Sequence, residues 1–184
     1  MQTVIIDNGS SYTGALVKLL HHESPRIINY QDLDYRKLTK GDIVILTGGH
    51  RYPILWHAKQ YSKEIELVKK HKGPIIGICL GFELIAHIYG SHLHLLNNKR
   101  KGEIKLTTVK SSQFEIPASI KVYENHNWSV AKVKRPLKAL AYSKDGIEIF
   151  KHTRKPTYGL QFHPEESSSS GMGILSAILE RVKP

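Results

Sequence analysis

The sequence predicts an α/β fold: a mostly parallel central sheet with helices on both faces, carrying added antiparallel strands in its second half. Three observations predict it. The first half alternates short strands with helices, and crossovers between parallel strands need helices, which then cover the sheet. The second half is richer in short strands separated by polar or Pro/Gly turns. With 184 residues, the chain suits one core and is short for two, so residues 1–184 are expected to be a single domain.

In chain order, TVIID (3–7) reads as a strand, followed by the turn-prone NGSS. A helix is expected from about Gly14 to His21, with Leu16, Leu19 and Leu20 on its apolar side. Strands RIINY (26–30) and IVIL (43–46) follow, joined by a polar connection with room for a short helix. A helix from about Trp56 to Lys70 sets Ile65 and Val68 three apart, and Gly73-Pro74 stops it before strand IIGI (75–78). KLTTV (105–109), SIKVY (119–123), SVAKV (129–133), ALAYS (139–143), IEIF (147–150) and YGLQF (158–162) are read as strands that extend one side of the sheet. A helix from about Gly173 to Arg181 closes the chain, with Ile174, Leu175, Ile178, Leu179 and Val182 at helical spacing.

Composition narrows the function classes. No run of 18 apolar residues suggests a membrane span, and MQTVIIDNG lacks the basic start and apolar stretch of a secretory signal. A lone cysteine forms no internal disulfide or cysteine-rich zinc site, which suits a reducing cytoplasm, so a cytoplasmic location and no membrane partner are expected. The net charge of +11 is spread over KKHK (69–72), KRK (99–101), KVKRPLK (132–138) and KHTRK (151–155) with acidic residues between. Without a zinc-finger spacing, a GxxG clamp in a suitable setting or an RNP-like strand, this reads as solvated or partner-facing surface rather than a nucleic-acid site.

Chemistry concentrates in three segments. GICLGFE (77–83) puts Cys79 where a strand meets a helix, between Gly77 and Gly81, which let the backbone bend sharply. A thiol at a helix start is expected to favour thiolate, yet a core cysteine is the plainer reading of a lone Cys. YGLQFHPEE (158–166) sets His163 beyond a strand end with Glu165 two residues on. Nucleophile, base and carboxylate anchor would then meet beyond the carboxyl ends of parallel strands. A surface histidine and a solvated carboxylate are the competing readings. In ILTGGHRYP (45–53), Thr47-Gly48-Gly49 can turn its amides on an anion, or can be a tight turn only. Beside Cys79, those amides and that of Leu80 could hold an oxyanion, a contact worth about 3 kcal/mol per donor.

Together IIDNGSSY, LTGGH, GICLGFELIA, YENHNWSV and YGLQFHPEE resemble class I, triad-type glutamine amidotransferases (a flavodoxin-like fold) over nearly the whole chain. Within that family they are most similar to the separate amidotransferase subunits of archaeal GMP synthases. The elbow and the FHPE segment, about 85 residues apart, carry most of the specificity. The resemblance implies that Cys79 attacks the side-chain amide of glutamine, that His163 protonates the departing ammonia and that Glu165 orients it. It implies further that the amides of Gly49 and Leu80, in a loop opened by Gly48, hold the oxyanion, and that the backbone of Asn127 and Trp128 holds the α-carboxylate. No metal site and no cofactor are implied in this chain. ATP and Mg2+ belong to an ATP-dependent synthetase partner on another polypeptide, like the separate synthetase subunit of GMP synthase, which receives the ammonia.

Three departures from the family pattern stand out. Glu83 replaces a Gln that helps bind the amino-acid end of glutamine, the loop reads GGH instead of GGP, and Trp128 stands where an acidic residue often faces the synthetase. HPEES also resembles anthranilate and aminodeoxychorismate synthase subunits, so another acceptor, a free-standing γ-glutamyl hydrolase and a noncatalytic module that kept the fold are the other readings.

Overall fold

The computed structural model describes residues 1–108 and 119–183. Its strands are β1 (Thr3–Asp7), β2 (Arg26–Asn29), β3 (Ile43–Leu46), β4 (Ile75–Ile78), β5 (Leu93–Thr108), β6 (Ser119–Val130), β7 (Leu137–Tyr142), β8 (Ile147–His152) and β9 (Thr157–Leu160). They form a sheet of order β2-β1-β3-β4-β9-β8-β7-β5-β6. The run from β2 to β9 is parallel, and every pairing from β9 outward to β6 is antiparallel. The expected α/β class and the antiparallel extension on one side are therefore what the chain adopts.

Because side chains alternate across a strand, each central strand supplies two cores. Ile5, Ile43, Ile45, Ile76 and Ile78 face α1 (Thr13–Leu19) and α5 (Ser169–Val182), packing with Leu16, Ile174, Leu175 and Ile178. Val4, Ile6, Val44, Leu46 and Ile75 form the opposite core with Leu67 and Val68 of α3 (Ser62–Lys70) and Phe82, Leu84 and Ile85 of α4 (Leu80–Ile88). Each such buried side chain stabilises the fold by about 1.5–3 kcal/mol. The two-sided demand explains why β3 and β4 are apolar at almost every position.

Several boundaries differ from expectation. The helix expected over 56–70 divides into α2 (Ile54–His57), a 3₁₀ turn at Ala58–Tyr61, and α3. Tyr61 turns inward at that break, where its buried hydroxyl donates to the Tyr52 carbonyl at 2.7 Å. The helix expected to reach His21 stops at Leu19, and a 3₁₀ turn over His21–Glu23 is closed by Ser24 at φ 44°. KLTTV is the end of the much longer β5, and its Val109 lies outside the described residues. SIKVY and the start of SVAKV belong to one strand, so YENHNWSV, expected as a loop, is the middle of β6. The β5–β6 pairing, with an irregularity between Leu95 and Arg100, brings that strand across the end of the parallel sheet.

Candidate active site

Cys79 sits between β4 and α4 with φ 50° and ψ −105°. A non-glycine residue at positive φ is strained by about 1–3 kcal/mol and persists only where its surroundings hold it. Here the Cys79 N–H donates to the Leu160 carbonyl at 2.8 Å, and the Cys79 carbonyl accepts from the Glu83 N–H at 3.0 Å. The flanking glycines are a packing requirement. A Cβ on Gly77 would lie 2.5 Å from the Gly81 carbonyl, and one on Gly81 would lie 2.4 Å from the Leu46 oxygen. Only without those carbons can α4 start so close to the sheet.

The sulfur is 5% exposed and lies 3.9 Å from the Asn125 carbonyl oxygen, to which its S–H can donate. Burial, reinforced by Glu83 and Glu165, pushes the thiol well above its ordinary range, and the opposing hydrogen bond from the Leu80 amide does not offset this. The expectation that the helix start would favour thiolate is corrected here, because desolvation outweighs the partial charge of a helix end. Cys79 rests as a thiol.

His163 follows β9 and is fixed on two sides. Its backbone N–H donates to the Tyr123 carbonyl of β6 at 2.8 Å, and its Nδ1 and Glu165 Oε1 are 2.8 Å apart. Both side chains are buried. With Nδ1–H donating to the carboxylate, Nε2 remains for proton transfer. The Tyr12 ring packs edge-on against the imidazole at 4.7 Å. Tyr12 Oη accepts from Asn125 Nδ2 at 2.8 Å, tying the first turn of the chain to β6. A Cβ on Gly48 would lie 2.9 Å from His163 Cε1 and 3.4 Å from Cys79 Cβ. Gly48 therefore separates the two side chains without filling the space between them. Cys79 and His163 share the lining of a small cleft of about 40 Å³ with Gly49 and Asn125.

That cleft adjoins a pocket of about 330 Å³. Of the residues expected to bind substrate, Gly49, Leu80, Glu83, Asn127 and Trp128 line the pocket together with Cys79, whereas Gly48 lies behind as a spacer. Glu83 does not point to solvent. It is 5% exposed, Gln161 Nε2 donates to its Oε1 at 3.2 Å, and burial pushes it up to about 7 against the pull of His126 and Gln161.

The residues that were not singled out from the sequence form the pocket's buried backing. His126 Nδ1 lies 2.7 Å from the Trp128 carbonyl, and its Nε2 lies 3.4 Å from Glu124 Oε1. Burial opposes a charge on His126, yet the hydrogen bond and charge of Glu124 outweigh it and raise the imidazole. Glu148 is raised well above the carboxylate range by burial and then by Glu124, so this pair holds a proton. A signal was present in the sequence. Ile120, Val122, Glu124 and His126 occupy alternate positions of β6 and are all buried, so the polar pair continues an inward face. Lys99, noted only as surface charge, also lines the pocket, and neighbouring Arg100 pairs with Asp145 at 2.6 Å.

Among the described residues no group of three or more His, Cys, Asp or Glu side chains is placed to hold a metal ion, and no helix is long and apolar enough to cross a membrane.

An elbow thiol that shares a cleft with an anchored imidazole, beside amides of a glycine loop, suits covalent attack on a carbonyl carbon, the chemistry of cysteine-dependent acyl transfer. Comparison with known proteins narrows that class. Residues 4–180 match the family of glutamine amidotransferases class I, and the chain belongs to it. It is 33% identical over 171 residues to the glutamine-hydrolyzing subunit of the GMP synthase of Pyrococcus furiosus, covering 88% of each chain. The corresponding subunit of Methanocaldococcus jannaschii is 32% identical over 171 residues, covering 88% of this chain and 87% of that one. Among solved structures, a Thermoplasma acidophilum protein provisionally named as a GMP synthase subunit superposes with a TM-score of 0.87. It is 25% identical, with 98% of this chain and 92% of that one covered.

Proposed function

We propose that the chain is a glutamine-hydrolysing subunit that releases ammonia for an ATP-dependent synthetase on a separate polypeptide, and that this partner makes GMP from XMP. The observation that carries the hydrolytic part is that Cys79, the Gly49 and Leu80 backbone, and a His163 held by Glu165 meet at adjoining clefts. The identity with the glutamine-hydrolyzing subunits of GMP synthases over 88% of the chain supports the choice of acceptor.

In this reading Cys79 Sγ bonds to the side-chain carbonyl carbon of glutamine while its proton passes to His163 Nε2. The carbonyl electrons move onto oxygen, which the Gly49 and Leu80 amides receive. Collapse breaks the C–N bond, His163 returns the proton to nitrogen, and ammonia leaves a thioester. A water molecule, deprotonated by His163, then splits the thioester to glutamate and the thiol. Because the resting sulfur is a buried thiol, attack and proton transfer are coupled, and the enzyme idles until substrate closes the site. Glu83 takes the α-ammonium, and the Asn127–Trp128 backbone takes the α-carboxylate.

Ammonia leaves by the pocket mouth, beside which the exposed Trp56 packs edge-on against Trp128 at 5.4 Å. We place the synthetase there. The test is glutamate release by the full chain alone and with a GMP-forming synthetase, ATP and XMP. We expect weak release alone, a rise on adding the synthetase, and glutamine-dependent GMP. Cys79→Ala should abolish both products while remaining folded. Undiminished glutamate release by Cys79→Ala would sink the assignment, and strong release that no synthetase alters would favour a free-standing hydrolase.

A further inference from the structure

Glu64, in the first turn of α3, is fully buried, and among the described residues neither of its oxygens has a hydrogen-bond partner at ordinary geometry. The side chain that interacts with it is Asn8, whose own Oδ1 equally lacks a donor. The rest of Asn8 is committed to the glycine loop. Its Nδ2 donates to the Thr47 carbonyl at 3.0 Å, and its backbone N–H donates to Thr47 Oγ1 at 2.9 Å. Thr47 Oγ1 passes its own proton to the Gly48 carbonyl at 3.0 Å. Gly49 lies so close that a Cβ there would sit 2.7 Å from the Asn8 carbonyl oxygen. Asn8 thus sets the course of Thr47-Gly48-Gly49, and Glu64 stands behind Asn8.

A buried carboxyl without a cation keeps its proton. The ionisable groups around Glu64 are Tyr61 on the turn before its helix and, sharing the surroundings of Tyr61, Tyr30, Tyr52 and Glu83. Lys63 and Glu66 of its own helix are exposed, and among the described residues no cation faces it. Burial accordingly pushes Glu64 up to about 8, against a smaller opposing effect of Asn8. A protonated carboxyl supplies one donor, and Asn8 Oδ1 lacks one.

We propose that Glu64 is a positioning residue for the glycine loop: its carboxylic O–H donates to Asn8 Oδ1, which leaves Asn8 Nδ2 for the Thr47 carbonyl and fixes the Gly49 amide where the oxyanion forms. This rests on the glutamine-hydrolysing reading above. Once ionised, Glu64 can only accept. Asn8 then turns its NH₂ toward the carboxylate, the Thr47 carbonyl loses its donor, and a negative charge lies behind the loop that must receive another. The cost falls on the chemical step and hardly on substrate binding.

The experiment compares the full chain with Glu64→Gln and Glu64→Leu, measuring kcat and KM for glutamine from about pH 6 to about pH 9. The Gln amide can still donate to Asn8 Oδ1, so that variant should match wild-type kcat within about twofold at neutral pH and rise at least about fivefold above it past pH 8, with KM unchanged. Taking the ratio of the two proteins cancels the titrations of Cys79, His163 and Glu83 that they share. Glu64→Leu should lose about 10-fold or more in kcat throughout. A Gln-to-wild-type ratio that stays flat with pH overturns the proposal, whether or not the Leu variant folds. An NMR titration reads the loop without activity: the Asn8 NH₂ and Gly49 N–H signals should shift near pH 8 in wild type and stay still in Glu64→Gln. Shifting signals in a wild type that releases no glutamate would sink the glutaminase reading and leave the loop control standing, whereas signals that do not shift sink the loop control.

Discussion

At Glu83 a carboxyl group stands in a pocket wall with an amide donor, Gln161, on one side and the raised imidazole of His126 nearby. With its pKa at about 7, Glu83 is divided between acid and carboxylate under neutral conditions. An α-ammonium in the pocket favours the carboxylate, so binding draws the proton off. KM for glutamine should therefore fall as pH rises through 7, while Glu83→Gln should show a flat KM, about 10-fold higher than wild type above pH 8, equivalent to about 1.4 kcal/mol. Better glutamine use by the Gln variant would mean that Glu83 faces a carboxylate and that the native substrate differs. Replacing Glu83 also acts on stability, with a definite sign. A carboxyl raised on folding contributes stability that is complete below its unfolded value and lost as pH rises through its folded one. The Tm of wild type should thus drop relative to Glu83→Gln between about pH 5 and pH 8, which a thermal melt series reads.

Gly48 shows how an element can matter by what it leaves out. A methyl group there meets the imidazole of His163 at 2.9 Å and the Cys79 Cβ at 3.4 Å. Gly48→Ala should therefore fold and bind glutamine but lose about 100-fold in kcat, since a displacement of about 1 Å is enough to cost that much; an unchanged kcat would show that the imidazole can shift without consequence. The same loop shows what the sequence revealed. LTGGH, GICLG and FHPE each announced a turn at a strand end, because glycine pairs and a histidine beyond an apolar run have few other uses there. The β5–β6 pair was not legible. Most of β5 is half or wholly exposed, NNKRKGE has no apolar face, and only pairing with β6 makes it a strand. For that reason Asn125, His126 and Lys99, which reach the pocket from this pair, were missed, and YENHNW was taken for a loop. Gln161 went unnoticed for another reason: a buried polar residue between Leu160 and Phe162 makes sense only once Glu83 is seen to accept from it.

At the scale of the whole molecule, the +11 charge and the exposed Trp56 and Leu55 are features a solitary hydrolase does not need. Trp56 is 67% exposed, and large aromatics commonly anchor interfaces. Trp56→Ala should weaken the synthetase's effect on glutamate release about 10-fold in apparent Kd, measured by titrating one protein with the other; an unchanged titration would move the contact elsewhere. The arrangement of the sheet has a further consequence, for synthesis of the chain. β4 is flanked by β3, which precedes it, and by β9, which is made only after four antiparallel strands. While the ribosome is producing those strands, IIGI is an open, uncharged edge of the kind that invites mispairing. The contact that closes it also holds the Cys79 amide on Leu160. A nascent chain therefore acquires its reactive elbow in the same event that ends its exposure to aggregation, and a prematurely terminated one is left sticky and inert.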